Sequence, residues 1–437
     1  MNDALSIRIE WLDAPDVSAP ELAATWARYE VWVGDQCVTQ VETDDGTIRR
    51  SVYGSLYPLA EWIATNWWML TAHVRPSAID ARYWTWANVD AYEWLAWHNL
   101  RGSGDGMAWP DLTLVPEGGM TRVRWTWDRG KVYRRLRFIS AGDSWARSAD
   151  IREALATFVE NVLDRLAEQD LLKTSLRDDW DSIGSADLDE SEFCDAAGRL
   201  GLDPYAMDER LAEQIVELSS SLPEDLAGDF FDSADADSLP TAALWLTKSV
   251  GLAGRAAQKA RHELAELWDV VGSVTGGTSD VERPWVTGYA MARAVRQRLE
   301  VPVTQHLDLA PWVGRSTVSA PSAGIQGAVA VDSARCGLVL GGEHLSPVFG
   351  AARALGRALL RPAERRFILS AAHRDDERVA RAFAAELLAP AAGIREMLSA
   401  LGKQDDSAFD AVARRYGVSP LVIRHQFDNQ LAMRAAS

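Results

Sequence analysis

The chain has 437 residues, 47 % hydrophobic and 25 % charged, a globular composition that supplies buried cores and excludes general disorder. At roughly 150 residues per domain the length points to about three domains. Asp and Glu outnumber Lys and Arg by 63 to 45, and the resulting charge of −18 argues against a whole-protein role in coating DNA or an anionic membrane.

Residues 1–148 form the first block. Alternating IRIEW, YEVWV and CVTQV have the period of half-buried strands, and Asp44-Asp45-Gly46 closes an expected hairpin. YPLAEWIATNWWML predicts an amphipathic or fully buried helix. RVRWTWDRGKVYRRLRFI predicts a second hairpin, turning at Asp128-Arg129-Gly130. Of the 19 Trp, fourteen fall before residue 150, from Trp11 to Trp145 and including Trp84. They read as core or groove lining, or else as anchors of a partner surface. The block is expected to be a Trp-rich α+β domain.

Residues 149–276 predict an acidic helical domain. DIREALATFVENVLDRLAEQDL carries Leu155, Phe158, Val159, Val162, Leu163 and Leu166 at helical intervals. EFCDAAGRLGLDPYAMDERLAEQIVEL reads as two helices broken at Gly201 to Pro204, with Pro204 able to open the second. Between Asp178 and Asp237 nineteen Asp and Glu stand against only Arg199 and Arg210, a local charge of −17. That is a solvated helical face or a surface for a basic partner. GSVTGGTSD (272–280) is an expected linker.

Residues 283–437 predict a mostly helical third domain: the helix WVTGYAMARAVRQRLEV, a short β passage GAVAVDSARCGLVLGG, and helices near 347–361, 375–388 and 408–430. Within it, FAAELLAP (383–390) and the preceding FGAARALGRALL resemble the paired helices of the ImmA/IrrE family of metallopeptidases. The flanking PWVTGYAMARAVRQRL and YGVSPLVIRHQFDNQ are similar to that family's neighbouring helices. The resemblance covers about the last third of the chain. It implies a zincin-like fold in which one helix supplies two zinc-binding His around a general-base Glu, and a later helix an acidic ligand. At those positions stand Arg353, Ala354 and Arg357, with Glu377 near the third ligand. Arginine is always protonated and offers a cation no lone pair, while zinc needs neutral imidazoles and a carboxylate within reach of its bound water. The expectation is a pseudo-peptidase without cofactor or metal. Arg353 and Arg357, four apart on one helix face, are expected either to pair with Glu377 or Asp376 or to form a small anion site.

The resemblance implies a regulatory, toxin–antitoxin or phage-defence setting, because active members are linked to cleaving repressors. A non-catalytic adaptor would meet a protein partner through the Trp-rich or the acidic block. Two alternatives remain. One is a site-specific metallopeptidase with rebuilt ligands, for which His262 and Glu266 of HExxE, Glu343-His344 and His373 are the stray candidates. HExxE itself reads as a solvated helix face. The other is a helix-turn-helix transcription regulator. AFDAVARRYGVSPLVIRHQFDNQ places Ala413, Gly417 and Ile423 at compatible spacing, and its second helix would expose Arg424, His425, Gln426 and Asn429 to nucleic acid.

No phosphate loop and no GxSxG elbow occurs. Cys37, Cys194 and Cys336 lie too far apart for a disulfide framework or a CxxC metal site. No stretch approaches the ~20 apolar residues of a membrane span. The early Asp of MNDALSIRIEW and its lack of a long apolar run argue against a secretory signal. A cytoplasmic protein without membrane contact is expected.

Overall fold

The alternating segments near the N-terminus pair as their period requires in a computed structural model of the chain, which describes residues 5–15, 17–74, 86, 92–104, 106–130, 133, 135–275, 284–319, 324–341 and 345–432. By internal contacts the chain divides into Met1–Ser219 and Ser220–Ser437. The helices expected as one middle block are thereby shared between the two units. The fold is mixed α+β with a helical C-terminal part. No helix among the described residues is long and apolar enough to cross a membrane.

In the first unit β1 (Ser6–Trp11) is followed by α1 (Pro20–Ala24), β2 (Trp26–Val33), β3 (Gln36–Cys37), β4 (Val41–Thr43), β5 (Ile48–Arg49) and β6 (Val52–Ser55). Strand β2 carries Ala27, Tyr29, Val31 and Val33 inward and pairs antiparallel with β1, β3 and β6. The Asp44-Asp45-Gly46 turn joins β4 to β5, with Asp45 accepting from Thr43 and from the Thr47 amide.

The expected helix over YPLAEWIATNWWML is two helices, α2 (Tyr57–Thr65) and α3 (Trp67–Ala72). Asn66 separates them, its side-chain amide donating to the Trp62 carbonyl at 2.8 Å beside its own backbone N–H at 3.1 Å. Next come α4 (Tyr92–His98), β7 (Asp111–Pro116), β8 (Met120–Thr126), β9 (Leu136–Phe138) and β10 (Gly142–Arg147). The second hairpin does not form. Strand β8 lies between β7 and β10, and β9 instead pairs with β4. Beyond Thr126, Asp128 is buried and receives Arg101 Nη2 at 2.7 Å and the Phe138 amide at 3.0 Å, while its own N–H donates to the Phe138 carbonyl at 2.9 Å. Trp62, Trp109 and Trp125 belong to the core, whereas Trp127 is 52 % exposed. Trp84 lies outside the described residues.

Helix α5 (Ser148–Glu168) buries Leu155, Phe158, Val159, Val162, Leu163 and Leu166 against that core. Helices α6 (Ser175–Ser185), α7 (Leu188–Arg199) and α8 (Glu209–Ser221) follow. The break between α7 and α8 falls at Gly201 as the sequence predicts, but Pro204 does not open α8. That helix begins at Glu209, after a turn at Asp203 whose side chain accepts from the Tyr205 amide.

In the second unit α9 (Glu224–Phe231), α10 (Leu239–Ala257), α11 (Ala265–Thr275) and α12 (Pro284–Arg298) precede a sheet of β11 (Val313–Thr317), β12 (Ile325–Asp332), β13 (Arg335–Leu340) and β14 (Arg366–Ser370). The strand order is β11-β13-β12-β14, with only β11 and β13 parallel. Strands β11 and β14 were not expected from the sequence. The expected linker at 272–280 is helical as far as Thr275, where α11 ends, and its remainder lies outside the described residues.

Helix α13 (Pro347–Leu360) precedes β14, and α14 (Asp375–Leu388) follows it. Helices α12, α13 and α14 share one core with the sheet. Gly288 lets α12 approach α14 closely, since a Cβ there would run into the Val379 carbonyl and Ala382. The expected helix near 408–430 is two, α16 (Asp406–Tyr416) and α17 (Pro420–Phe427), and α15 (Ala391–Leu401) precedes them. Gly417, at φ +69°, makes the tight turn between α16 and α17, and a short π-helical turn (Asp428–Ala432) ends the described chain.

Candidate functional site

Helix α13 brings Arg353, Ala354 and Arg357 into the interior. Arg353 is 2 % exposed, Arg357 3 % and Ala354 fully buried. A buried guanidinium is tolerated only with acceptors around it, and each of these has them. Arg353 donates from Nη1 to Gln326 Oε1 at 2.5 Å, and from Nη2 to the Ser370 carbonyl at 2.7 Å and to Glu377 Oε2. Glu377, 1 % exposed, uses its other oxygen to accept the Ser370 amide at 2.9 Å. Arg353 and Glu377 together thus join α13 to β12, β14 and α14.

Arg357 finds a different partner. Its Nη1 lies 2.9 Å from Asp229 and its Nε 3.2 Å from Glu364, and it stacks on Phe367 with 4.9 Å to the ring centroid. Asp376, the alternative partner expected from the sequence, pairs instead with Arg361. Asp229 comes from α9 and also accepts from Arg374 and from the Ile368 amide at 3.0 Å. Arg374 reaches Asp232 at 2.9 Å, and Arg366 reaches Asp225 at 3.0 Å. Burial by itself would depress the Arg357 guanidinium. Asp229 first, then Glu364, Asp376 and Glu377 outweigh that and hold its pKa above the ordinary value. Burial raises the Glu364 carboxyl, and Arg357 opposes the rise.

The α9 carboxylates explain part of the acidic stretch. Asp225, Asp229 and Asp232 sit at i, i+4 and i+7 on one helix face and meet Arg366, Arg357 and Arg374. That spacing is visible in the sequence, but nothing in it joins residue 229 to residue 357. Asp229 is the site residue that sequence reasoning missed.

The stray metal candidates among the described residues do not converge. His262 and Glu266 do not share a helix face, because α11 begins only at Ala265. The His262 amide donates to the Pro311 carbonyl at 2.9 Å, and its ring packs on Trp312. Glu263 pairs with Arg335, and Glu266 with Arg298. Glu343 and His344 lie outside the described residues, and His373 lines a cavity elsewhere in the unit. Among the described residues no group of three or more His, Cys, Asp or Glu is arranged to hold a metal. Burial pushes the Cys194 thiol up to about 11 and the Cys336 thiol up to about 12, while Cys37, raised by the same cause, is half-buried.

The zinc implied by the family resemblance therefore does not fit the donors present. Two guanidinium groups and a methyl stand where the resemblance would put two imidazoles and a base, and Glu377, which it would put near the third ligand, is engaged by Arg353 and the Ser370 amide.

At the C-terminal helices the four expected nucleic-acid contacts are not equivalent. Arg424 is exposed but pairs with Asp406 at 2.7 Å. His425 and Asn429 line the cavity that also holds His373. Gln426 is not exposed: it is 1 % accessible and donates to Glu386 at 2.9 Å and to the Ala389 carbonyl at 3.1 Å. Glu386 also accepts from Arg293, Gln430 and the Ala391 amide, so a single buried carboxylate ties α12, α15 and the chain after α17 to α14. The amide of Gln426 is turned inward to satisfy it. The sequence matches no protein-family model and no curated protein.

Proposed function

We propose that the second unit is a non-catalytic, pseudo-peptidase module of ImmA/IrrE type that serves recognition of a protein partner in a regulatory or defence setting. The observation that carries this reading is the state of Arg353 and Arg357. At the positions that would grip a metal, both are buried and committed to carboxylates. A peptide-hydrolysing metal centre needs an open coordination position and a water with a base beside it. A lattice of ion pairs offers neither. It supports instead a rigid scaffold whose use lies in its surfaces.

Two assays test the reading together. Full-length protein, incubated with zinc and a panel of unstructured peptides and candidate repressors, is expected to leave all of them intact. The same protein isolated from its native cells is expected to carry a stoichiometric partner. Cleavage that a chelator abolishes would overturn the proposal.

A further inference from the structure

The second unit contains a cavity of about 730 Å³, within the size range of sites that take small organic ligands. Its walls come from one face each of several helices. Trp285 and Tyr289 stand four apart on α12. Arg378, Arg381, Ala382 and Ala385 follow the i, i+3, i+4, i+7 face of α14, and Leu421, Val422 and His425 come from α17. Phe349 of α13 adds a third aromatic ring. The surface is mainly apolar, so the body of an occupant must be apolar, and three rings favour a flat one.

In a protein of net charge −18, the described residues that line this cavity include Arg378, Arg381, His373 and His425 and, among them, no Asp or Glu. Arg381 is fixed in place: its Nη2 donates to the Ser370 and Ala372 carbonyls at 3.0 and 2.7 Å. It also lies 4.0 Å from Glu377, a carboxylate already engaged by Arg353. Ser346 and Ser419, the N-cap residues of α13 and α17, also line the cavity, and neither hydroxyl caps its own helix. The partial positive ends of two helices therefore add to the arginines.

We infer that this cavity binds a small aromatic acid, a flat apolar body carrying a carboxylate, sulfonate or phosphate, with the rings on α12 and α13 holding the body and Arg378 and Arg381 facing the anion. The inference does not depend on whether the unit is catalytic. Arg381 is the residue common to the cavity and the Glu377 ion pair, so an anion seated there acts on the buried lattice directly.

The test uses a matched probe pair, 8-anilinonaphthalene-1-sulfonate and its neutral counterpart N-phenyl-1-naphthylamine, titrated into the full-length protein by calorimetry and fluorescence. The sulfonate is expected to bind at one site, roughly tenfold or more tighter than the neutral probe, as one charge-assisted contact implies. Arg378→Gln is expected to remove most of that preference while leaving the neutral probe's affinity unchanged. Ala385→Trp, which places a bulky ring in the cavity, is expected to weaken both. Should Ala385→Trp fail to fold, Arg378→Gln with circular dichroism and melting unchanged still decides the question. Equal affinity for the two probes, sulfonate binding at several sites that ignores Arg378→Gln, or occupation by an acidic peptide that excludes both probes would overturn the inference.

Discussion

Replacing Asp229 by Asn keeps the shape of the side chain and removes one charge from the middle of the ion-pair lattice. In the native protein this carboxylate receives Arg357, Arg374 and the Ile368 amide. An Asn has one carbonyl oxygen for these donors and turns an amide toward the rest. Breaking one side of a buried ion pair costs about 3–5 kcal/mol. Here the loss is softened, because Arg357 keeps Glu364 at 3.2 Å and Arg374 keeps Asp232 at 2.9 Å. The lower end of that range, about 3 kcal/mol, is expected. In a unit of roughly 200 residues this corresponds to a fall in melting temperature of about 6–12 °C. Because the chain has two units, a single global transition is a poor reporter. Amide hydrogen exchange at Ile368, whose N–H Asp229 holds directly, reads the change locally. Asp229→Leu combined with Arg357→Met, which removes both charges, is expected to recover most of the loss. Stability within about 0.5 kcal/mol of wild type, the scale of an ordinary surface change, would refute the assignment of Asp229 as the anchor of Arg357.

Three further outcomes follow from the geometry. Burial holds His73 neutral, with its pKa lowered to about 4, and it lowers the neighbouring His98 well below its ordinary value, His73 adding to that shift. The rings lie 5.6 Å apart. As pH falls below about 6.5 the unfolded chain takes up protons that the folded first unit refuses, so stability is full above that pH and declines toward pH 4. His73 alone accounts for about 3 kcal/mol, so in urea melts wild type should lose stability relative to His73→Phe by about that amount as the pH is lowered from 6.5 to 4. Ser333 and Ala334 both have positive φ in the two-residue β12–β13 turn. Ala334→Gly should therefore raise the second unit's stability by about 1 kcal/mol in urea. Glu386→Leu removes the acceptor shared by Gln426, Gln430, Arg293 and the Ala391 amide. A loss of about 2–4 kcal/mol is expected, with faster hydrogen exchange over 420–430.

Much of this architecture could be read from residue patterns because it is local. The alternation in Arg8–Trp11 and Tyr29–Val33, the heptad-like run of α5 and the Gly417 turn each fix an element from its own side chains. The errors fall where a distant residue decides. β8 pairs with β10 rather than with the strand after it, and past β8 the chain is held by Asp128, whose carboxylate receives Arg101 and the Phe138 amide. α17 would expose Gln426 if Glu386, forty residues earlier, did not take its amide. The site was legible in the same proportion. That Arg353 and Arg357 could not ligate a metal was plain from their chemistry, and Glu377 was close enough in the predicted packing to be named as a partner. Asp229 was not, since its only sequence signature is a three-carboxylate helix face shared with many solvated helices.

Ion pairs stand where the resemblance would put a metal. The transition-metal content of the 437-residue chain purified with added zinc, measured by plasma mass spectrometry for wild type and for Glu377→Gln, tests this. Far less than one metal per chain is expected in both, with no change in melting on adding a chelator. One zinc retained per chain through gel filtration, and lost in Glu377→Gln, would contradict it.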